Sequence, residues 1–162
     1  VPESKFLFVR PEAGAAAFRE FMTKAFVDEG VAADRILFEA VRGKHMRFYN
    51  EMDISLDTFP QTGGTTTCES IFMGVPVITL VGTAFFERLS YSNLSNAGLG
   101  DLAAFSHDDY VKKAVSLAQD TKRRTFLRSA LRRQIKDRPL GQPEQFAKDF
   151  YDLVAKTVIE SR

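Results

Sequence analysis

The residues best suited to chemistry stand together between 57 and 69, in the run Asp57-Thr58-Phe59-Pro60-Gln61-Thr62-Gly63-Gly64-Thr65-Thr66-Thr67-Cys68-Glu69. A strand-like segment passes through a glycine pair into a helix that opens at Thr65. Glycine lacks a Cβ, so the backbone here can approach a ligand closely. A helix start presents N–H groups ahead of its own hydrogen-bond ladder and the positive end of the helix dipole. Thr65, Thr66 and Thr67 add hydroxyl donors at the same place. Together these groups suit a diphosphate. Glu69 lies one turn further in, within reach of a ribose hydroxyl pair if the phosphates sit at the helix tip. The same residues also fit an ordinary helix cap, with Thr65 as the cap and Gly63-Gly64 as the turn. The stretch is not a P-loop, because no lysine follows, and its glycine spacing is not that of the dinucleotide fingerprint.

The elements that must position this stretch alternate between strand and helix. Lys5-Phe6-Leu7-Phe8-Val9 reads as a buried strand closed by Arg10-Pro11, and Ala15 to Glu29 as a helix ended by Gly30. That helix carries Phe18, Phe21, Met22 and Ala25 as its expected apolar face. Strands are expected at Ile36–Val41, Asp53–Asp57 and Val77–Val81, with a short helix around His45 to Met52. The helix that begins at Thr65 runs to about Met73, where Gly74-Val75-Pro76 stops it. Ala84 to Ala97 reads as helix closed by Gly98, and Leu102 to Phe105 as a short fifth strand. Ser106 caps a further helix, with Asp108 and Asp109 in its first turn. Two more helices are expected, at Lys122–Lys136 and from Pro143 to about Ile159. Strands alternating with helices imply parallel pairing and a doubly wound α/β sheet, in which ligands bind outside the carboxyl ends of the strands.

Several single residues carry weaker signals. His45, on a short helix, is by itself more typical of a surface or packing residue, and His107 reads as surface beside a cap. Asp57 ends a central strand, as the phosphoacceptor of a receiver domain does, but no acidic pair closes the first strand to hold a metal. A buried or turn-stabilising Asp57 is the better reading. Cys68 sits near a helix start that could acidify it, yet no histidine base is placed beside it, so a small packed thiol is favoured. Arg88 lies on the rim of the same sheet edge, where a ligand contact and a surface role are equally open. No paired carboxylates or histidine dyad stand at a spacing that would activate an acceptor hydroxyl, so no catalytic residue is assigned.

The 162 residues suit one ordinary domain, and 44% hydrophobic composition is enough for a core. The net charge of +1 makes no case for nucleic acid or an anionic membrane. The basic cluster Lys122, Arg123, Arg124, Arg128, Arg132 and Arg133 reads as a solvated helix face. A single cysteine excludes an internal disulfide and fits a reducing, cytoplasmic setting. No apolar run approaches a membrane span. The chain opens on Val1 and enters a strand almost at once, as a piece of a longer protein would.

Three ordered segments then resemble a known family: Asp53-Ile54-Ser55-Leu56-Asp57-Thr58, Gly63-Gly64-Thr65-Thr66-Thr67-Cys68-Glu69, and Met73-Gly74-Val75-Pro76-Val77-Ile78-Thr79-Leu80. They are similar to the C-terminal catalytic half of the O-GlcNAc transferase and SPINDLY-like family. Arg35-Ile36-Leu37-Phe38, Phe86-Glu87-Arg88 with Ser90, and Arg138-Pro139-Leu140 extend the likeness over nearly the whole chain. The resemblance implies a Rossmann-like α/β domain, with a parallel sheet flanked by helices, as the C-terminal half of a two-domain GT-B glycosyltransferase. On that reading residues 1–162 form a single donor-nucleotide-binding domain whose C-terminal helices span about 106–160. Family members are inverting transferases, usually joined to tetratricopeptide repeats, that move a sugar from a nucleotide diphosphate to protein serine or threonine.

By the same resemblance Thr65 and Thr66 bind the pyrophosphate, with Gly63 and Gly64 in the turn before them. Glu69 holds the ribose, His45 packs by the base, and Arg42 lies near the nucleotide. Two positions depart from the animal enzymes: Gly64 replaces a histidine that stands against the phosphates, and Phe48 replaces an arginine. The donor implied is UDP-N-acetylglucosamine or a related nucleotide sugar, bound as substrate, with no cofactor and no metal. The SPINDLY-like alternative is GDP-fucose, and a non-catalytic nucleotide-binding module is the third reading. The protein or peptide acceptor would be engaged through upstream domains.

Overall fold

The computed structural model describes residues 1–160, and its contacts gather into two compact units, Val1–Asp53 and Ile54–Arg162. Each has its own parallel strands and its own packed interior.

In the first unit, β1 (Phe6–Val9) pairs in parallel with β2 (Ile36–Glu39), in the register Phe6 with Ile36 and Phe8 with Phe38. Alternate residues of a strand share a face, so Phe6 and Phe8 stand side by side, with ring centroids 4.9 Å apart. Phe38 stacks on Phe8 at 5.4 Å. Helix α1 (Ala16–Asp28) covers this cluster through Phe18 and Phe26, whose rings lie 5.9 Å from that of Phe8. The half-buried face of α1 is therefore Phe18, Met22 and Phe26, spaced by four residues. Phe21 and Ala25 do not belong to it, and Phe21 is 71% exposed. A spacing of four keeps side chains on one stripe, whereas Phe21 is rotated off it. Gly30 ends the helix at a φ of +83°, as expected. Residues His45–Glu51 form 3-10 turns rather than an α-helix.

In the second unit, β3 (Ser55–Leu56), β4 (Val77–Leu80) and β5 (Ala103–Ala104) run parallel in that order. Five helices belong to this unit: α2 (Thr65–Phe72), α3 (Leu89–Asn96), α4 (His107–Gln119), α5 (Thr121–Gln134) and α6 (Pro143–Glu160). Ile71, Val77, Ile78, Leu94, Leu102, Leu117, Leu127 and Leu131 make its core. Burying each such side chain is worth roughly 1.5–3 kcal/mol. This is the α/β arrangement of parallel strands and flanking helices expected for the class.

Gly74 is required twice over, because its φ is +78° and an added Cβ would lie 2.5 Å from the carbonyl oxygen of Arg128. It lets the end of α2 close onto α5, where Arg128 Nη1 donates to Met73 O at 3.1 Å. The helix expected over Ala84–Ala97 is broken into a 3-10 turn, Phe85–Glu87, and α3. The cause is Glu87, whose carboxylate accepts from the N–H groups of Thr83 at 2.9 Å and Ala84 at 2.7 Å and so ties the first turn to itself. Ser106 caps α4 by accepting from Asp109 N at 3.1 Å, as its position suggested.

The basic cluster of α5 is only partly a solvated face. Arg124 donates to Leu117 O at 3.0 Å, Arg128 is committed to Met73, and Arg123 pairs with Asp101. Arg132 lies 4.2 Å over the ring of Phe72.

Candidate functional site: the glycine turn at the start of helix α2

The turn between β3 and α2 lies at the carboxyl end of the β3 strand. Asp57 anchors it. One carboxylate oxygen accepts from Gly63 N at 2.9 Å, and the other from Thr79 Oγ1, on β4, at 2.7 Å. Tyr110, on α4, donates its hydroxyl to Asp57 O at 2.9 Å. Burial, and then the charge of Asp57, raise the pKa of that phenol, so it stays a donor. With both carboxylate oxygens engaged, Asp57 is a turn-stabilising residue, the role favoured on sequence grounds. His107 is exposed but not isolated: its ring meets Phe59 at 5.4 Å, and Phe59 meets Tyr110 at 5.6 Å.

The far side of the turn is held from α3 and the turn before it. Thr62, 3% exposed, donates its hydroxyl to Phe86 O at 2.8 Å. Ser90 Oγ donates to Gly63 O at 2.8 Å and lies 2.7 Å from Thr67 Oγ1. Asn93 Nδ2 donates to Gly64 O at 3.0 Å. The ladder of α2 begins where Cys68 N donates to Gly64 O at 3.3 Å, so the amides of Thr65, Thr66 and Thr67 come ahead of it.

Gly63, Gly64, Thr65, Thr66 and Glu69 are thus brought together at one helix start. Thr65 and Thr66 are exposed there and Glu69 is half-buried one turn on. The three threonines are not equivalent, however. Thr67 is 2% exposed and turns its hydroxyl inward to Ser90, so it is part of the support rather than a surface donor. Helical rotation of about 100° per residue separates neighbours in this way.

Gly63 has a specific reason to be glycine: a Cβ there would lie 2.6 Å from Thr67 Oγ1 and 2.7 Å from Thr66 Oγ1. Gly64 has none of this kind, since a Cβ would meet nothing within 4 Å. Cys68 is half-buried, and burial first, then the charge of Glu69, push its thiol pKa up. These outweigh the lowering by a backbone hydrogen bond, in keeping with a packed thiol. Arg88 folds back to Gly82 O at 2.9 Å and lies 5.4 Å over the ring of Tyr91.

Arg42 and His45 belong to the first unit. Arg42 is exposed in the turn after β2, near enough to Glu12 to assist Arg10, whose hydrogen bond is the main cause holding that carboxyl below its ordinary range. His45 opens the 3-10 segment half-buried, its ring 6.4 Å from that of Tyr49. Phe48 is buried, 4% exposed, so the apolar residue at this position serves packing. Sequence reasoning had no means of singling out Ser90 and Asn93 as supports of the turn, because they act from 27 and 29 residues away.

Among the described residues no group of three or more His, Cys, Asp or Glu could hold a metal ion, and no helix is long and apolar enough to cross a membrane.

Residues 1–150 match glycosyl transferase family 41. The chain belongs to this family. Among its relatives is a protein of Eustoma exaltatum subsp. russellianum named "Probable UDP-N-acetylglucosamine--peptide N-acetylglucosaminyltransferase SPINDLY", 44% identical over 75% of this chain and 13% of that protein. The UDP-N-acetylglucosamine--peptide N-acetylglucosaminyltransferase of Caenorhabditis elegans is 28% identical over 85% of this chain and 12% of its own length. A solved structure of a mutant O-GlcNAc transferase from Thermobaculum terrenum superposes with a TM-score of 0.84 at 28% identity. It covers 94% of this chain and 30% of the other. The family 41 chain therefore spans only a small part of the relatives it matches.

Proposed function

We propose that this family 41 chain is the donor-nucleotide-binding part of an inverting protein glycosyltransferase that transfers N-acetylglucosamine from UDP-N-acetylglucosamine to serine or threonine. The observation that carries this reading is the supported glycine turn, which presents exposed Thr65 and Thr66 at the start of α2 in a chain of this family. In the reading, the hydroxyls of Thr65 and Thr66 and the amides of the helix start hold the diphosphate, with Gly63 and Gly64 allowing its close approach. Glu69 accepts from the ribose hydroxyls, His45 packs by the base, and Arg42 lies near the nucleotide. The helix dipole and hydroxyls stabilise the charge that grows on the departing diphosphate, which is where a donor domain contributes to rate. No cofactor or metal is invoked.

The acceptor is a protein or peptide, oriented by a second domain, and the chemistry needs both walls of the cleft. Orientation of two substrates supplies roughly 7–11 kcal/mol in such reactions, so residues 1–162 alone should bind nucleotide and transfer no sugar. The setting proposed is cytoplasmic.

A second donor has a specific observation in its favour. Identity is 40–45% to the plant SPINDLY proteins but 28% to the Caenorhabditis elegans transferase. By the resemblance to SPINDLY-like members the alternative donor is GDP-fucose, and the base and sugar pocket is the point on which the two donors divide.

Titration of the protein with UDP, GDP, UDP-N-acetylglucosamine and GDP-fucose tests both readings. Thr66→Val, which keeps the shape and removes the hydroxyl, should weaken every diphosphate ligand by about tenfold or more, the loss of one charge-assisted bond of about 1.5–3 kcal/mol. Unchanged affinity in Thr66→Val would remove the helix start as the phosphate site. Peptide glycosylation by the chain alone at the rate of a complete enzyme would overturn the division of labour.

A further inference from the structure

We propose that Ser90 and Asn93 of α3 are positioning residues that aim the amides of the glycine turn at the donor's diphosphate. This rests on the reading of the α2 start as the diphosphate site. Ser90 and Asn93 are three residues apart, so they lie on one face of α3. Each holds a carbonyl of the glycine pair: Ser90 Oγ donates to Gly63 O at 2.8 Å, and Asn93 Nδ2 to Gly64 O at 3.0 Å.

A trans peptide points its C=O and its N–H in opposite directions. Drawing Gly63 O toward α3 therefore turns the Gly64 amide away from α3, and drawing Gly64 O the same way turns away the amide of Thr65. Gly63 N is different, since it is bound inward to Asp57 Oδ1 at 2.9 Å. The turn is thus split: one amide anchors the loop, and the next two are directed outward. They come just before the exposed residues Thr65 and Thr66.

The hydroxyl chain has a fixed sense. Ser90 has one proton, and it goes to Gly63 O, so the 2.7 Å contact with Thr67 is donated by Thr67 Oγ1. Ser90 is 0% and Thr67 2% exposed, so no water competes for these bonds. Carbonyls held in this way need not reorganise when a ligand arrives, which is the condition for a preorganised anion site.

The test is calorimetric titration of Ser90→Ala and Asn93→Ala with UDP, GDP and inorganic pyrophosphate, beside wild type and Thr66→Val. Each variant should lose about five- to tenfold in affinity for all three ligands alike, the scale of one hydrogen bond. Combined with Thr66→Val, each should lose less than the product of the single losses, because both act on one loop. Ser90 is fully buried, so Asn93→Ala, at a half-buried position, carries the test if Ser90→Ala does not fold. A lowered melting temperature with undiminished pyrophosphate affinity in Asn93→Ala would overturn the proposal, as would a loss confined to UDP and GDP. Failure of the wild type to bind any nucleotide, or a neutral Thr66→Val, would instead overturn the site reading on which it stands.

Discussion

Replacing Gly63 and Gly64 singly by alanine should give different results, although the two residues are neighbours in one turn. At Gly63 the new methyl would sit 2.6 Å from Thr67 Oγ1, 2.7 Å from Thr66 Oγ1 and 3.3 Å from Asp57 Oδ1. Two of these are closer than any stable contact with carbon. Thr67 cannot swing away freely, because it is 2% exposed and bound to Ser90, which in turn holds the carbonyl of Gly63 itself. Overpacking of this kind costs about 1–3 kcal/mol, and loss of the buried hydroxyl bond adds about 1 kcal/mol. Against this, an alanine restricts the unfolded chain and returns about 0.4–1 kcal/mol. The net loss is about 1–3.5 kcal/mol, or roughly 2–14 °C in melting temperature for a chain of this size.

At Gly64 the methyl would meet nothing within 4 Å. The weaker capping of alanine and the entropic gain then nearly cancel, leaving a change within about 1 kcal/mol. Thermal unfolding of the two variants, followed by circular dichroism, decides the matter. Equal shifts in the two variants, or a Gly63→Ala protein as stable as wild type, would show that the Thr66 and Thr67 hydroxyls do not crowd this turn.

Glu69→Ala should weaken UDP and GDP alike while leaving inorganic pyrophosphate binding nearly unaffected. An equal fall in pyrophosphate affinity, read by competition, would make Glu69 a support of the loop instead of a ribose contact. His45→Ala should change the ratio of uridine to guanosine nucleotide affinities, and a uniform change across ligands would return His45 to a packing role. The raised pKa of Cys68 keeps it a neutral thiol at pH values where an ordinary cysteine has begun to ionise. Alkylation by iodoacetamide at pH 8 should therefore be slower than in a denatured control, and should accelerate only as pH rises above the ordinary cysteine value. Reaction as fast as the denatured control would refute the burial of this sulfur.

The order of strands and helices was legible from local pattern alone. The apolar runs around Phe6, Ile36 and Val77, the glycines at 30 and 74, and the cap at Ser106 all depend on neighbours a few residues away, which a linear reading contains. The glycine-threonine motif and the family were legible for the same reason: the groups that present a helix start are consecutive in the chain. Tertiary structure decided what surrounds them. It set Phe26 rather than Phe21 against β1, because only packing reveals which stripe of α1 faces the sheet. It turned Thr67 inward while Thr65 and Thr66 stayed outward, and gave Gly63 a steric reason that Gly64 lacks. It brought Ser90 and Asn93 onto the carbonyls of a turn far away in sequence, an encounter that exists only once α3 has packed beside α2.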